Sequence, residues 1–209
     1  MKIKSTWTIF GVGYFITDII DTIESQNGEV SQIVLNQEID AERIGLVPKN
    51  ITIVDIKSFK PRTSNYFFGF INANKQPILD LLKKTNITFS NLIHPFSSVS
   101  KSAVLGQGNF VGAGAVIGPD VKIGNFNIIK RSASIGHHTV LGNYNHIAPA
   151  AIITGSCKIG DKNFFGAGST LIDNKVTGDE IIIGAGSVVI QDLNEAGTYV
   201  GVPARKLNK

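Results

Sequence analysis

The sequence predicts a small α/β domain followed by an all-β parallel β-helix, on two observations. The first is a repeat. Ile93, Val99, Leu105, Val111, Ile117, Ile123, Ile129, Ile135, Leu141, Ile147, Ile153, Ile159, Phe165, Leu171, Thr177, Ile183 and Val189 stand six residues apart, and fifteen of the seventeen are Ile, Leu or Val. Neither a helix of period 3.6 nor a strand of period 2 produces that spacing. Ten of the residues that directly follow are glycine, from Gly106 to Gly184, as expected beside tight corners where a Cβ is unwelcome. The second observation is an alternation of strand and helix patterns over residues 1–92.

Three hexapeptides close one triangular coil, so residues 93–209 encode roughly five coils with their aliphatic anchors inside. Coils stacked at about 4.8 Å make a prism on the order of 25 Å long. Its open sheet edges need covering, and residues 1–92 and 190–209 are available for that.

In the first domain, Thr6 to Phe10 reads as a strand, Gly11-Val12-Gly13 as a turn and Phe15 to Ser25 as a helix. Gln32 to Leu35, Ile51 to Val54 and Tyr66 to Ile71 follow as strands, Gln76 to Lys84 as a helix, and Phe89 to Ile93 as the exit strand. That alternation predicts a small Rossmann-like parallel sheet. The glycine turn lies where such sheets bind phosphate. Ile16 stands where a full G-x-G-x-x-G has its third glycine, so the turn reads equally as a ligand site or as a plain connection.

With 209 residues and 43% hydrophobic content, the chain can bury one repeat core and one small domain. A formal charge of +4 with scattered Lys and Arg suits an anionic small molecule and not nucleic acid. The lone Cys157 excludes an internal disulfide and reads as a core or corner filler, in keeping with a reducing compartment. The start Met1-Lys2-Ile3-Lys4 and the apolar stretch from Trp7 to Ile16 lack a small-x-small cleavage site and run into Asp18 and Asp21. No run reaches the roughly 18 apolar residues of a membrane span. The expectation is a cytoplasmic protein with no membrane partner.

All four histidines lie in or beside the repeat. His94, before Pro95, reads as structural. His137, His138 and His146 occupy polar positions of two consecutive repeats while Ile135 and Leu141 point inward, so their rings face outward. They read as surface residues, as contacts to a ligand or neighbouring subunit, or as metal ligands. Spacings of one, eight and nine match no simple zinc pattern, and no metal is expected.

The uninterrupted repeat, the small first domain and the ending Gly197-Thr198-Tyr199-Val200-Gly201-Val202-Pro203-Ala204-Arg205 together resemble the bacterial sugar acyltransferases of the left-handed β-helix group, of the sialic-acid O-acetyltransferase and bacillosamine-pathway N-acetyltransferase type. The resemblance implies a left-handed coil, a homotrimer, acetyl-CoA as co-substrate, and transfer of acetyl to an amino or hydroxyl group of a nucleotide-linked sugar. It places the general base on His137 and the contact to the acetyl end of the coenzyme on His146. The pantetheine groove falls on Gly155, Ala167 and Ala185, and the acceptor site on Gly11, Gly13 and Asn36. Two departures stand out. His138 follows the base where relatives carry an acid, and Gly11-Val12-Gly13-Tyr14 and Asn36-Gln37 replace a longer glycine turn and a pair of acids. Two other classes fit a hexapeptide repeat: a catalytically silent scaffold, and a zinc lyase of the gamma carbonic anhydrase type.

Overall fold

A computed structural model describes residues 4–63, 65–72 and 74–207. Residues 1–3 of the basic start lie outside it. The chain divides into two compact units, Met1–Pro95 and Phe96–Lys209.

The first unit contains β1 (Ser5–Phe10), α1 (Ile16–Ser25), β2 (Gly28–Leu35), α2 (Ala41–Gly45), β3 (Thr52–Asp55), β4 (Asn65–Phe68) and α3 (Gln76–Leu82). The four strands form one parallel sheet in the order β3-β2-β1-β4. Central position explains the apolar run of β1, since Trp7 to Phe10 are all buried and inner strands of parallel sheets are covered on both faces. Helix α1 buries Ile16, Ile19, Ile20 and Ile23, the spacing that makes one apolar stripe. Phe68 stacks on Phe89 with ring centroids 4.5 Å apart, and Phe10 packs beside both.

Several boundaries differ from the sequence expectation. Strand β2 begins at Gly28, before Gln32, because Gly28, Glu29 and Val30 pair with Ser5, Thr6 and Trp7 at the start of the sheet, whatever their polarity. Strand β4 stops at Phe68, where the Gly69 amide donates to the Phe10 carbonyl and Gly69 packs directly on the Gly11 backbone. Helix α3 ends at Leu82 and the exit strand shortens to Leu92–Ile93. Helix α2 has no apolar period to announce it. It rests on a cap, with the Asp40 carboxylate accepting from the Arg43 amide at 2.8 Å.

The second unit is a three-faced parallel β-helix in which each strand pairs with its counterpart one coil on, as Ser134 does with Ile152 and Val140 with Lys158. The first face has six strands, from Ser98–Val99 to Val188–Val189, and the second has five, from Val104–Leu105 to Val176–Thr177. The third runs through Phe110–Val111, Ile128–Ile129, His146–Ile147, Phe164–Phe165 and Ile181–Ile183. Six strands on the first face make five spacings of about 4.8 Å, about 24 Å in all, in line with the roughly five coils expected. The anchors point inward, and Ile117, Ile135, Leu141, Ile147, Phe165 and Ile183 are buried. At the carboxy-terminal end, Gly197–Val200 extends the third face beside Ile181–Ile183, and Arg205–Lys206 folds back antiparallel on it.

The corners refine the reading of the glycines. Positive φ falls three residues after the anchors and mostly on non-glycine residues, including Asp120, His138, Tyr144 and Asn174. The glycines directly after the anchors serve the stacking of coils: a Cβ at Gly118 would lie 2.9 Å from the His137 amide nitrogen, and one at Gly142 only 2.7 Å from the Gly160 carbonyl. A second device holds the corner between the second and third faces. There Asn109, Asn127, Asn145 and Asn163 are buried one above another. Asn127 Nδ2 donates to Asn109 Oδ1 at 3.0 Å, and Asn145 Nδ2 to Asn127 Oδ1 at 3.1 Å.

Candidate active site

His137 and His138 sit on the corner that leads from the first face to the second, directly after the strand Ser134–Ile135. Both are exposed, as the inward anchors required. The His138 amide is tied to the Pro119 carbonyl one coil back at 3.0 Å, and the His137 carbonyl accepts from the Ser156 amide one coil on at 2.8 Å. The backbone is thus fixed from both sides. The His137 ring lies over Gly155, where an added Cβ would stand 2.6 Å from Cε1 and 2.8 Å from Nε2. Gly155 is buried, and its amide donates to Asp173 Oδ1 at 2.7 Å. Its visible task is to leave room for the imidazole.

The two imidazoles stand edge to face, with Nδ1 of His137 3.1 Å from Nδ1 of His138. At that distance one nitrogen donates and the other accepts, which ties the tautomer of one ring to that of the other. On its far side His138 Nε2 lies 3.6 Å from Asp120 Oδ2. Nothing in the sequence near His138 points to Asp120; only the stacking of successive coils brings them together. Cys157, just beyond, is buried, and burial pushes its thiol up, so it is a filler here.

The remaining repeat residues lie elsewhere on the prism. His146 is on the third face, half-buried, with its ring 5.0 Å from that of Phe164 in an edge-on contact. Ala167 and Ala185 are exposed on the corner leaving that face, in a row with Ala113, Arg131 and Pro149. Beside them, side chains at Gly168 and Gly186 would meet nothing within 4 Å. The result is an open ledge of small residues around Ala167 and Ala185. A single chain therefore does not unite this ledge with His137, which stands at the corner opposite the third face. His94 is buried. Among the described residues no group of three or more His, Cys, Asp or Glu is placed to hold a metal ion, and no helix is long and apolar enough to cross a membrane.

A cleft lies at the carboxyl ends of β1, β2 and β4, the end where parallel sheets commonly take ligands. Gly11, Gly13, Asn36, Gln37, Arg43 and Phe70 help to line this cleft of ≈ 320 Å³. Gly11 has φ +75°, and a Cβ there would lie 2.6 Å from the Phe70 ring. The Gly11 and Gly13 amides donate to the Val34 and Gly69 carbonyls, each at 2.8 Å. A ligand would thus meet glycine α-carbons and the side chains of Asn36, Gln37 and Arg43, not these two amides. The Arg43 guanidinium reaches Asp40 at 2.7 Å and holds that carboxyl below its usual range. Lys75, unnoticed in the sequence, is buried beneath: its Nζ donates to the Asn72 carbonyl at 2.7 Å and stands 5.2 Å from the Phe70 ring centre. Burial lowers its pKa to about 8.

No protein-family model and no curated protein matches the chain. Solved structures do. Perosamine N-acetyltransferase from Caulobacter crescentus, in complex with CoA and GDP-perosamine, is 27% identical with a TM-score of 0.86, and 98% of each chain is covered. A histidine-to-asparagine mutant of that enzyme, with the same ligands, is 26% identical with a TM-score of 0.87 and the same coverage. The acetyltransferase domain of PglB from Neisseria gonorrhoeae, in complex with acetyl coenzyme A, shares the fold at 22% identity and TM-score 0.85, over 98% of this chain and 100% of that one. The parallel helix described above is accordingly left-handed, and over nearly its whole length the chain is similar to sugar N-acetyltransferases of the left-handed β-helix, hexapeptide-repeat type.

Proposed function

We propose that the protein transfers acetyl from acetyl-CoA to the amino group of a nucleotide-linked amino sugar. The observation that carries this reading is the His137 imidazole, held over Gly155 with Nδ1 turned to His138, on a fold shared with an enzyme that binds CoA and GDP-perosamine. Nδ1 engaged in this way leaves Nε2 as the atom that meets the acceptor. The amine attacks the thioester carbonyl while His137 Nε2 takes its proton. A C–N bond forms, the C–S bond breaks, and the proton passes from His137 to the departing thiolate, so no acyl-enzyme is needed.

His146 and the ledge of Ala167 and Ala185 receive the coenzyme, and Gly155 supports the base. These elements lie on different edges of one prism, which supports a homotrimer in which each site uses two neighbouring chains. The first unit, with strand order 3-2-1-4 and helices between strands, reads as a Rossmann-like acceptor domain, with Gly11, Gly13 and Asn36 in its cleft. The reading places the enzyme in the cytoplasm, where nucleotide sugars and acetyl-CoA meet.

The test is release of free thiol from acetyl-CoA in the presence of GDP-perosamine and other nucleotide-linked amino sugars. His137→Ala is expected to lower turnover by on the order of 10²-fold or more while CoA still binds. Undiminished turnover in that variant would remove His137 from the mechanism.

A further inference from the structure

We propose that Asp120 is a positioning residue for the base, acting through His138 in a relay Asp120–His138–His137 that spans two coils. The inference rests on the reading of His137 as the base. The acid that relatives are expected to carry next to the base is absent from position 138, and Asp120, one coil back, stands on the far side of the histidine that replaces it. Asp120 Oδ2 is 3.6 Å from His138 Nε2, and His138 Nδ1 is 3.1 Å from His137 Nδ1.

The geometry selects one arrangement of protons. A carboxylate beside His138 Nε2 favours the tautomer with its hydrogen on Nε2. His138 Nδ1 is then an acceptor, the facing His137 Nδ1 must carry hydrogen and donate, and His137 Nε2 keeps its lone pair for the acceptor proton. When His137 takes that proton, the positive charge is shared toward His138 and faces Asp120. At 3.6 Å the carboxylate acts by its charge and not as a hydrogen-bond acceptor in this conformation. The corner also carries Lys101, Cys157, Asp173 and Lys175. Asp173 is committed to the Gly155 amide, and Cys157 is buried behind. Asp120 is the acid that faces His138.

The fold tolerates the test. Asp120 has φ +58° and His138 φ +58°, a region that Asn and Asp enter readily. Their side chains are 55% and 64% exposed, and such pairs contribute little to stability. The experiment reads the ring-nitrogen chemical shifts of ¹⁵N-histidine-labelled protein in wild type, Asp120→Asn and Asp120→Glu. The wild type should show His138 with hydrogen on Nε2 and His137 with hydrogen on Nδ1. Asp120→Asn should redistribute both tautomers, and Asp120→Glu should restore them. Unchanged tautomers in Asp120→Asn would overturn the relay.

With acetyl-CoA and GDP-perosamine, Asp120→Asn should lower kcat about three- to tenfold at constant KM for acetyl-CoA. In a His138→Asp background, where an acid adjoins the base directly, Asp120→Asn should have no effect, and an equal loss there would also overturn the relay. A wild type that transfers no acetyl to any nucleotide sugar counts against the proposed function, while the ring-nitrogen measurement still decides the relay.

Discussion

The imidazole of His137 occupies the space that a side chain at position 155 would fill: a Cβ there would lie 2.6 Å from its Cε1. Ring and glycine sit on adjacent coils, three hexapeptides apart along the chain, so the orientation of the ring is set by stacking and not by local sequence.

Gly155→Ala should therefore damage catalysis more than folding. The glycine has no positive φ, and the colliding atoms belong to a side chain that can swing away. Displacing the base by about an ångström should lower kcat by on the order of 10- to 100-fold, with the urea midpoint little changed. A variant with wild-type kcat would show that the ring does not work from this position.

Separate edges for His137 and the Ala167 ledge predict complementation between chains. His137→Ala chains and Ala167→Trp chains, each inactive, should regain activity when dissociated, mixed and reassembled, because some sites combine a wild-type base with a wild-type ledge. Mixed oligomers verified by mass that stay at the parental level would place the whole site in one chain.

Lys75 should give the first unit an unusual dependence on pH. Its pKa is lowered from 10.5 to about 8 by burial, so between those values the unfolded chain holds a proton that the folded one has lost. Stability from this group therefore rises with pH from about 8 to about 10.5, by at most about 3.5 kcal/mol at roughly 1.4 kcal/mol per pH unit. Lys75→Met should abolish that rise when denaturant midpoints of variant and wild type are compared from pH 7 to 10. Parallel curves would mean that the amine stays charged, held by the Asn72 carbonyl and the Phe68 and Phe70 rings.

The asparagine ladder predicts a localised loss of stability. Asn127 Oδ1 accepts from the Asn145 amide and from Asn145 Nδ2, and its own Nδ2 donates to Asn109 Oδ1 and the Gly142 carbonyl. Asn127→Ala strands several buried partners at once and should cost about 2–4 kcal/mol, read as a lowered denaturant midpoint. Exposed Asn174→Ala, by contrast, should cost about 1 kcal/mol, chiefly because Asn174 has φ +60°. Equal losses would deny the ladder its role.

Much of this protein is legible in its sequence, for a physical reason. A hexapeptide repeat dictates its own neighbours: once three hexapeptides close each coil, every anchor's direction and partner strand follow from counting, so the buried Ile135 and Leu141 and the outward His137 and His138 are readable from the chain alone. The first unit lacks such a rule. There the start of β2 and the short, cap-driven α2 escape sequence reading because sheet pairing and a single Asp40 contact, not apolar period, create them. In sequence Lys75 stands among ordinary polar residues, and only packing against Phe68 and Phe70 makes it a buried amine. Within the site, counting hexapeptides is enough to show which residues reach the surface of the prism, and the chain shows directly that no acid adjoins His137. Only the fold shows that Gly155 yields its space to the His137 ring and that Asp120 stands behind His138, because those relationships run between coils, at right angles to the chain.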